Sequence, residues 1–277
     1  MGHDWIKAAR RQLSGWRGPK SVPPQTSSVA EDGNLGPVYV FIRTWNRPLY
    51  LWACLDSLFR NTRTPCRFVL MDNQSSDRQV AHVIEGFRRR GMFEAVHMMD
   101  RNHGANQTML FFKYRPQMGR YFVLLDGDIT VEAGEPDWLG RMIRLAEARP
   151  NLAILGSVVD QEDFVDVESA QRLAPTLSED ELDRLIKGRS PERRLKPSRD
   201  EVIAPYTPPG RLLLLRTAAI DEIGLRIGNM ALSQAAKDAG YQVGIATTVR
   251  HRHLSLLNIF DYPDYDFAEL SRYLQND

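Results

Sequence analysis

From Pro37 onward, short apolar runs alternate with segments whose apolar residues recur every three or four positions. The runs 38–43, 67–71, 94–99 and 121–125 read as strands, and 48–60, 77–90 and 105–115 between them read as helices. Strict alternation of strand and helix predicts an α/β fold with a Rossmann-like, mostly parallel central sheet and helices on both faces. The second half is less regular. A helix at 136–149 and a strand at 152–157 precede a polar stretch from 160 to 200 that holds one helical segment, 178–187. Strand 211–215, helices near 217–223 and 230–239, and strand 242–246 follow, ending in the basic string Arg250-His-Arg-His253. The 160–200 stretch is too polar for a core, and a long insertion beside a binding crevice reads as a lid or acceptor loop. No internal repeat is evident.

The first 36 residues carry a different pattern. Trp5, Ile6, Ala9, Leu13 and Trp16 share one broad face of a helix over 4–17. Lys7, Arg10, Arg11, Arg17 and Lys20 against Asp4 leave a local surplus of four positive charges. Tryptophan beside arginine suits an anionic membrane surface, and docking on the protein's own domain or a second subunit is the alternative. Residues 18–36 are rich in Pro, Ser, Gly and Asn without periodicity and read as a flexible linker.

Composition narrows the class only modestly. With 277 residues, 43% hydrophobic and 26% charged, the chain is an ordinary globular protein with material for a substantial core. A formal charge of +1 argues against a globally basic nucleic-acid binder. Cys54 and Cys66 form neither a CxxC pair nor a zinc spacing and read as small core residues. No run approaches the roughly 18 apolar residues of a membrane span, and the basic N-terminus lacks the apolar stretch of a secretory signal. These features predict a cytoplasmic protein, with peripheral contact to the inner face of the membrane through 4–17.

One motif carries more chemistry than the rest. The apolar run Tyr121-Phe-Val-Leu-Leu ends in Asp126-Gly-Asp128. On a continuing strand, side chains two apart share a face, and two adjacent carboxylates repel unless a donor or a cation such as Mg2+ or Mn2+ lies between them. Gly127 lets a bulky ligand approach the backbone. A turn closed by its own Asx hydrogen bonds accounts for the same residues. In open sheets, ligands bind outside the carboxyl ends of the strands, and Thr44-Trp45-Asn46 and Asp72-Asn73 end two other strands there.

Taken together, Ile42-Arg-Thr-Trp-Asn-Arg-Pro48, Met71-Asp-Asn-Gln-Ser-Ser-Asp77, Asn102-His-Gly-Ala-Asn106 and Asp126-Gly-Asp128 resemble the GT-A glycosyltransferases of family 2. The resemblance runs over roughly 37–130 and resumes at Arg216-Thr-Ala-Ala-Ile-Asp-Glu-Ile-Gly224 and Ala239-Gly-Tyr241. It implies a GT-A domain over 37–277, with 37–130 binding a nucleotide-sugar and 131–277 forming the acceptor side. Such a hexosyltransferase moves a sugar to a hydroxyl acceptor. The departing diphosphate needs positive charge, which a divalent metal (Mn2+ or Mg2+) and nearby Arg or Lys supply. The resemblance assigns Asp128 to the metal and Asp126 to the ribose or metal waters. It assigns Trp45 and Thr44 to the base, and Asp72 to a hydrogen bond from the base, which mildly favours a UDP-sugar; core burial is the alternative for Trp45, and capping of the following turn for Asp72. Asn102 and Asn106 flank a turn opening a helix, suited to anions or ribose hydroxyls, although capping explains them as well. His253 falls where a further metal ligand is expected, with His251 as its neighbour on the same face. The acceptor implied is a carbohydrate or glycolipid, as in bacterial polysaccharide synthesis, with no nucleic acid involved.

One departure stands out. Inverting members carry an acidic base at the start of the helix before Ala-Gly-Tyr, where this chain has Gly228-Asn229-Met230. Asn229 replaces an Asp, another carboxylate such as Asp160 or Asp163 serves, or the reaction retains configuration and needs no base. A protein that binds nucleotide-sugars without turnover is the non-enzymatic alternative. Asp126-Gly-Asp-Ile-Thr130 also matches the nucleophile motif of HAD-type phosphatases, but no later acidic pair at a strand end follows. Sugar nucleotidyltransferases open with a Gly-rich, Arg-containing loop that this chain lacks after 38–43.

Overall fold

The computed structural model describes residues 35–173, 175–188, 200–204, 208 and 210–255. The helix expected over 4–17, nearly all of the linker after it, and 189–199 of the polar stretch lie outside the described residues.

The elements in chain order are β1 (Tyr39–Thr44), α1 (Pro48–Asn61), β2 (Arg67–Asp72), α2 (Arg78–Arg89), β3 (Phe93–Met98), α3 (Thr108–Tyr114), β4 (Tyr121–Asp126), β5 (Ile129–Val131) and α4 (Trp138–Glu147). Then come β6 (Leu152–Val159), α5 (Val167–Leu173), α6 (Glu179–Leu185), β7 (Val202–Ile203), β8 (Leu212–Arg216), α7 (Thr217–Ile223), α8 (Asn229–Asp238) and β9 (Gln242–His253). All strands join one sheet in the order β3-β2-β1-β4-β8-β6-β9-β5, with β7 also on β9.

The first four strands run parallel, because a helix carries the chain back over the sheet between each pair. Their side chains load both faces. Val38, Val40 and Ile42 pack with α1, α2 and α4 on one side, while Tyr39 and Phe41 pack with α3, α7 and α8 on the other. A strand buried on both faces must read as a continuous apolar run, and β1 does. Asp77 caps α2 by accepting from the Gln79 amide at 2.8 Å, and Asp137 caps α4 through Gly140 at 2.8 Å. Cys54 is buried in the core, and Cys66 packs against it.

Chain order explains where a ligand can enter. From β1 the chain moves outward to β2 and β3, then returns to β4 on the opposite side of β1. The reversal opens a crevice at the carboxyl ends of β1 and β4. There the register pairs Arg43 with Asp126 and Thr44 with Asp72.

Three expectations need correction in the second half. The final strand continues past 246 to His253, so Arg250–His253 is strand and not a terminal string. Asp126 and Asp128 do not lie on one continuing strand. β4 ends at Asp126, and β5 starts at Ile129 to pair antiparallel with the end of β9. The polar stretch also contributes to the interior: Asp163, Phe164, Ala170, Leu185 and Ile186 are buried. Among the described residues, no helix is long and apolar enough to cross a membrane.

Candidate functional site

An open cavity lies in this crevice, lined by residues that include Arg43, Thr44, Trp45, Arg47, Asn102, Asp126, Asp128 and Arg211. Its shape depends on a constrained backbone. Asn46 and Arg47 after β1 and Gln74 after β2 have φ of 52°, 55° and 61°, left-handed values uncommon for residues other than glycine and stabilised here by contacts between the loops. The restraint is visible. Asn46 Oδ1 accepts from the Ser76 and Asp77 amides at 2.9 and 3.1 Å, and the Asn46 amide donates to Ser75 Oγ at 2.7 Å. The two loops thus clip to each other and aim Arg47 inward.

Gly127 serves the protein's own packing as well as any ligand. Its amide donates to the Arg43 carbonyl at 2.8 Å, and a Cβ there would lie 2.9 Å from that oxygen and 3.2 Å from Thr44 Cβ. Only glycine lets the turn between the carboxylates press against the end of β1.

Both carboxylates are buried and surrounded by cations. Asp126 Oδ1 accepts from Arg43 Nε at 3.0 Å and Nη2 at 2.7 Å, and its Oδ2 accepts from Arg211 Nη1 at 3.0 Å. Asp128 Oδ2 accepts from Arg47 Nη1 at 3.0 Å, with Arg211 Nη1 at 4.0 Å and His253 Nε2 at 3.4 Å. Burial alone would raise the Asp128 carboxyl, but His253, Arg211 and Arg47 outweigh it and hold the group well below the usual carboxylate range. Three guanidinium groups face two carboxylates, so the cavity has a surplus of positive charge suited to an anion. Arg43, Arg47 and Arg211 went unassigned in the sequence. Arg43 and Arg47 flank Thr-Trp-Asn within a motif already singled out, but nothing local marks Arg211, which precedes β8.

The histidines sit behind this pair. His253 is buried on the face of β9 that also buries Val249 and His251, while Arg250 and Arg252 point outward. Burial there alternates with period two, as on a strand, but the polar residues that carry it hide that pattern in the sequence. His251 Nδ1 lies 2.7 Å from Ser157 Oγ, and burial depresses its pKa to about 3. Its Nε2 is buried without a hydrogen-bond partner, as is Asp128 Oδ1. Among the described residues, no three His, Cys, Asp or Glu side chains gather into a metal cage.

The other predicted residues divide. Thr44, Trp45 and Asn102 line the cavity. Asp72 does not. It is buried below the cavity and accepts from the Ser75 amide at 3.1 Å and from Ser75 Oγ, closing its own turn, while burial raises its pKa. Its neighbour Asn73 lines the cavity instead and donates to the Gly104 carbonyl at 3.0 Å. Asn102 accepts from Gly104 at 2.7 Å, and Asn106 accepts from Thr108 at 3.0 Å at the start of α3, away from the cavity wall. Asn229 opens α8 outside the lining, yet a methyl group on Gly210 would fall 1.6 Å from its Nδ2. Its amide therefore packs on the backbone next to Arg211. Asp163, offered as a substitute base, is buried with both oxygens engaged.

Residues 39–218 match the model of Glycosyl transferase family 2. The chain belongs to that family. Its fold is of the GT-A type. Solved structures agree on the fold. A crystal structure of GalNAc-T7 with UDP, GalNAc and Mn2+ superposes with a TM-score of 0.55 at 15% identity, covering 79% of this chain and 43% of that one. The mannosyltransferase PcManGT from Pyrobaculum calidifontis, in complex with GDP-Man and Mn2+, gives 0.54 at 15% identity, covering 91% of this chain and 64% of its own. The glycosyltransferase chain thus spans less than two thirds of either neighbour's length. No curated protein matches it.

Proposed function

We propose that this glycosyltransferase moves a sugar from a nucleotide-sugar to a hydroxyl acceptor with the help of a divalent metal, Mn2+ or Mg2+. The observation that carries the reading is the cavity at the carboxyl ends of β1 and β4, where Arg43, Arg47 and Arg211 converge on Asp126 and Asp128. A diphosphate brings negative charge that these guanidinium groups can take up as they exchange carboxylate oxygens for phosphate oxygens. Trp45 at the wall offers a face for the base and Asn102 an amide for ribose hydroxyls.

The donor atoms fit a metal. Asp128 Oδ1 is buried and lacks a partner, and the His253 ring stands 3.4 Å from the same carboxylate. One carboxylate and one imidazole leave most positions to phosphate and water, the usual arrangement for a metal that arrives with a phosphate substrate. A bound divalent ion would neutralise charge on the leaving diphosphate. The presence of Mn2+ with UDP and with GDP-Man in the two structural neighbours is in keeping with this reading. The 37–130 half would hold the donor and 131–277 the acceptor, which we take to be a carbohydrate or glycolipid.

A thermal-shift screen of UDP-, GDP- and CMP-linked ligands with and without Mn2+ tests the proposal, since a ligand specific to the folded state raises the melting temperature by mass action. Metal-dependent stabilisation by a uridine ligand is expected. Absence of such stabilisation with every nucleotide overturns the reading. A second reading, binding without turnover, draws on Asn229: among the described residues, Asp126 and Asp128 are the only carboxylates lining the cavity. Product formation from a labelled donor separates the two.

A further inference from the structure

The end of β9 is held in an unusual way. β6 pairs with β9 in parallel until Val159, opposite His251, and there β6 stops. Two residues on, the amide of His253 faces a lane with no strand in it. Asp163 fills that lane. The chain turns back after β6 through 161–163, with the Asp160 amide donating to the His251 carbonyl at 2.9 Å and Asp160 Oδ1 accepting from Glu162 at 3.0 Å. Asp163 Oδ2 then accepts from the His253 amide at 2.8 Å, and Oδ1 accepts from Arg252 Nε at 3.0 Å. On the other side, the Leu254 amide donates to the Asp128 carbonyl at 2.9 Å. Residues 252–254 are therefore gripped between one buried carboxylate and the backbone of Asp128, and the His253 ring has its place set against Asp128 Oδ2 and Ser255 Oγ, the latter at 2.7 Å from Nε2.

Burying a carboxylate is costly unless it is paired and hydrogen-bonded. The side chain of Asp163 is 0% exposed. A backbone amide needs only one neutral acceptor, so filling the lane does not by itself call for a charge. A buried charged acceptor makes a shorter and stronger bond than a neutral one, which matters where the amide belongs to a residue whose ring must be held to a fixed position.

We propose that Asp163 is a positioning residue that fixes His253 relative to Asp128 and so sets the metal affinity of the pair; this rests on the metal reading above. Asp163 touches neither donor nor metal in this scheme. It acts through the main chain of His253, in the manner of outer-shell groups that orient metal ligands.

The test compares wild type, His253→Ala, Asp163→Ala and Asp163→Asn by calorimetric titration of Mn2+ into UDP-saturated protein, with metal-free UDP binding measured alongside. Asp163→Ala is expected to weaken Mn2+ binding by about tenfold to a hundredfold, with metal-free UDP affinity within twofold of wild type. General loosening of the fold would weaken both. Should Asp163→Ala not fold, Asp163→Asn carries the comparison, with an expected Mn2+ loss of about threefold or more as the charge is removed. If His253→Ala weakens Mn2+ binding while the Asp163 variants match wild type, the positioning role is overturned. If wild type and His253→Ala bind Mn2+ alike, it is the metal reading of His253 that falls.

Discussion

The two halves of the sheet meet at Asp126-Gly-Asp128 and are built differently. Residues 39–126 form parallel strands joined by helices, with β1, β2 and β3 each followed in sequence by a helix that packs on the sheet. Residues 129–255 mix directions: β8 runs antiparallel to both of its neighbours, β6 and β9 run parallel, and β5 pairs with the far end of β9. Asp126 ends the last strand of the first half, and its partner Arg43 comes from the strand beside it. Asp128 opens the second half and meets His253, a residue 125 positions later whose place is decided by β9, β5 and Asp163. One carboxylate is thus fixed by neighbouring strands and the other by the whole fold. Arg211 reaches both and ties the halves together.

Removing the seam's second carboxylate should have the largest effect. Asp128→Ala is expected to lower kcat by about a hundredfold to a thousandfold and to abolish Mn2+-dependent stabilisation by UDP; a variant that keeps both shows that Asp128 does not hold the metal. Next comes the acceptor side. If Asn229 stands where a base belongs, Asn229→Asp should raise the transfer rate by about a hundredfold, measured with labelled donor. An unchanged rate disposes of that idea and moves weight to the base-free alternatives. Gly127→Ala tests the contact of the seam with β1. A Cβ 2.9 Å from the Arg43 carbonyl should cost about 1–3 kcal/mol in urea unfolding, and an unaltered midpoint shows that the turn can move away from β1 freely.

The smallest effect belongs to the first half alone. Burial, and then repulsion from Lys113, hold the His97 ring below its ordinary pKa, with Tyr114 Oη 2.9 Å from Nε2. The unfolded chain then takes up the proton first, so stability is full above about pH 6.5 and declines as pH falls below it. Urea midpoints at pH 7.5 and 5.5 should differ less in His97→Gln than in wild type; an equal difference assigns the acid sensitivity elsewhere.

Legibility in the sequence follows the same division. In the first half the expected strand 121–125 is β4 at Tyr121–Asp126, and the expected helix 48–60 is α1 at Pro48–Asn61. Each such element declares itself within a dozen residues, by an apolar run or a helical stripe. β5 was missed because Ile129–Val131 is three residues long and is held as a strand only by β9. The extension of β9 was missed because its buried positions there include His251 and His253, whose polarity hides the alternation that burial reveals. Asp163 looked like part of a solvated stretch, since nothing local shows that its partner is an amide 90 positions away.

The sequence alone determined the alternating architecture, the family and the identity of the paired aspartates, because those depend on short-range periodicity and on motifs that stay together in the chain. Only the tertiary structure decided what surrounds the aspartates. Arg211 and His253 reach them from distant segments, Asp163 holds the His253 amide, and Asp72 is turned to its own loop, because long-range strand pairing, and no local preference, sets which side chains share that small buried volume.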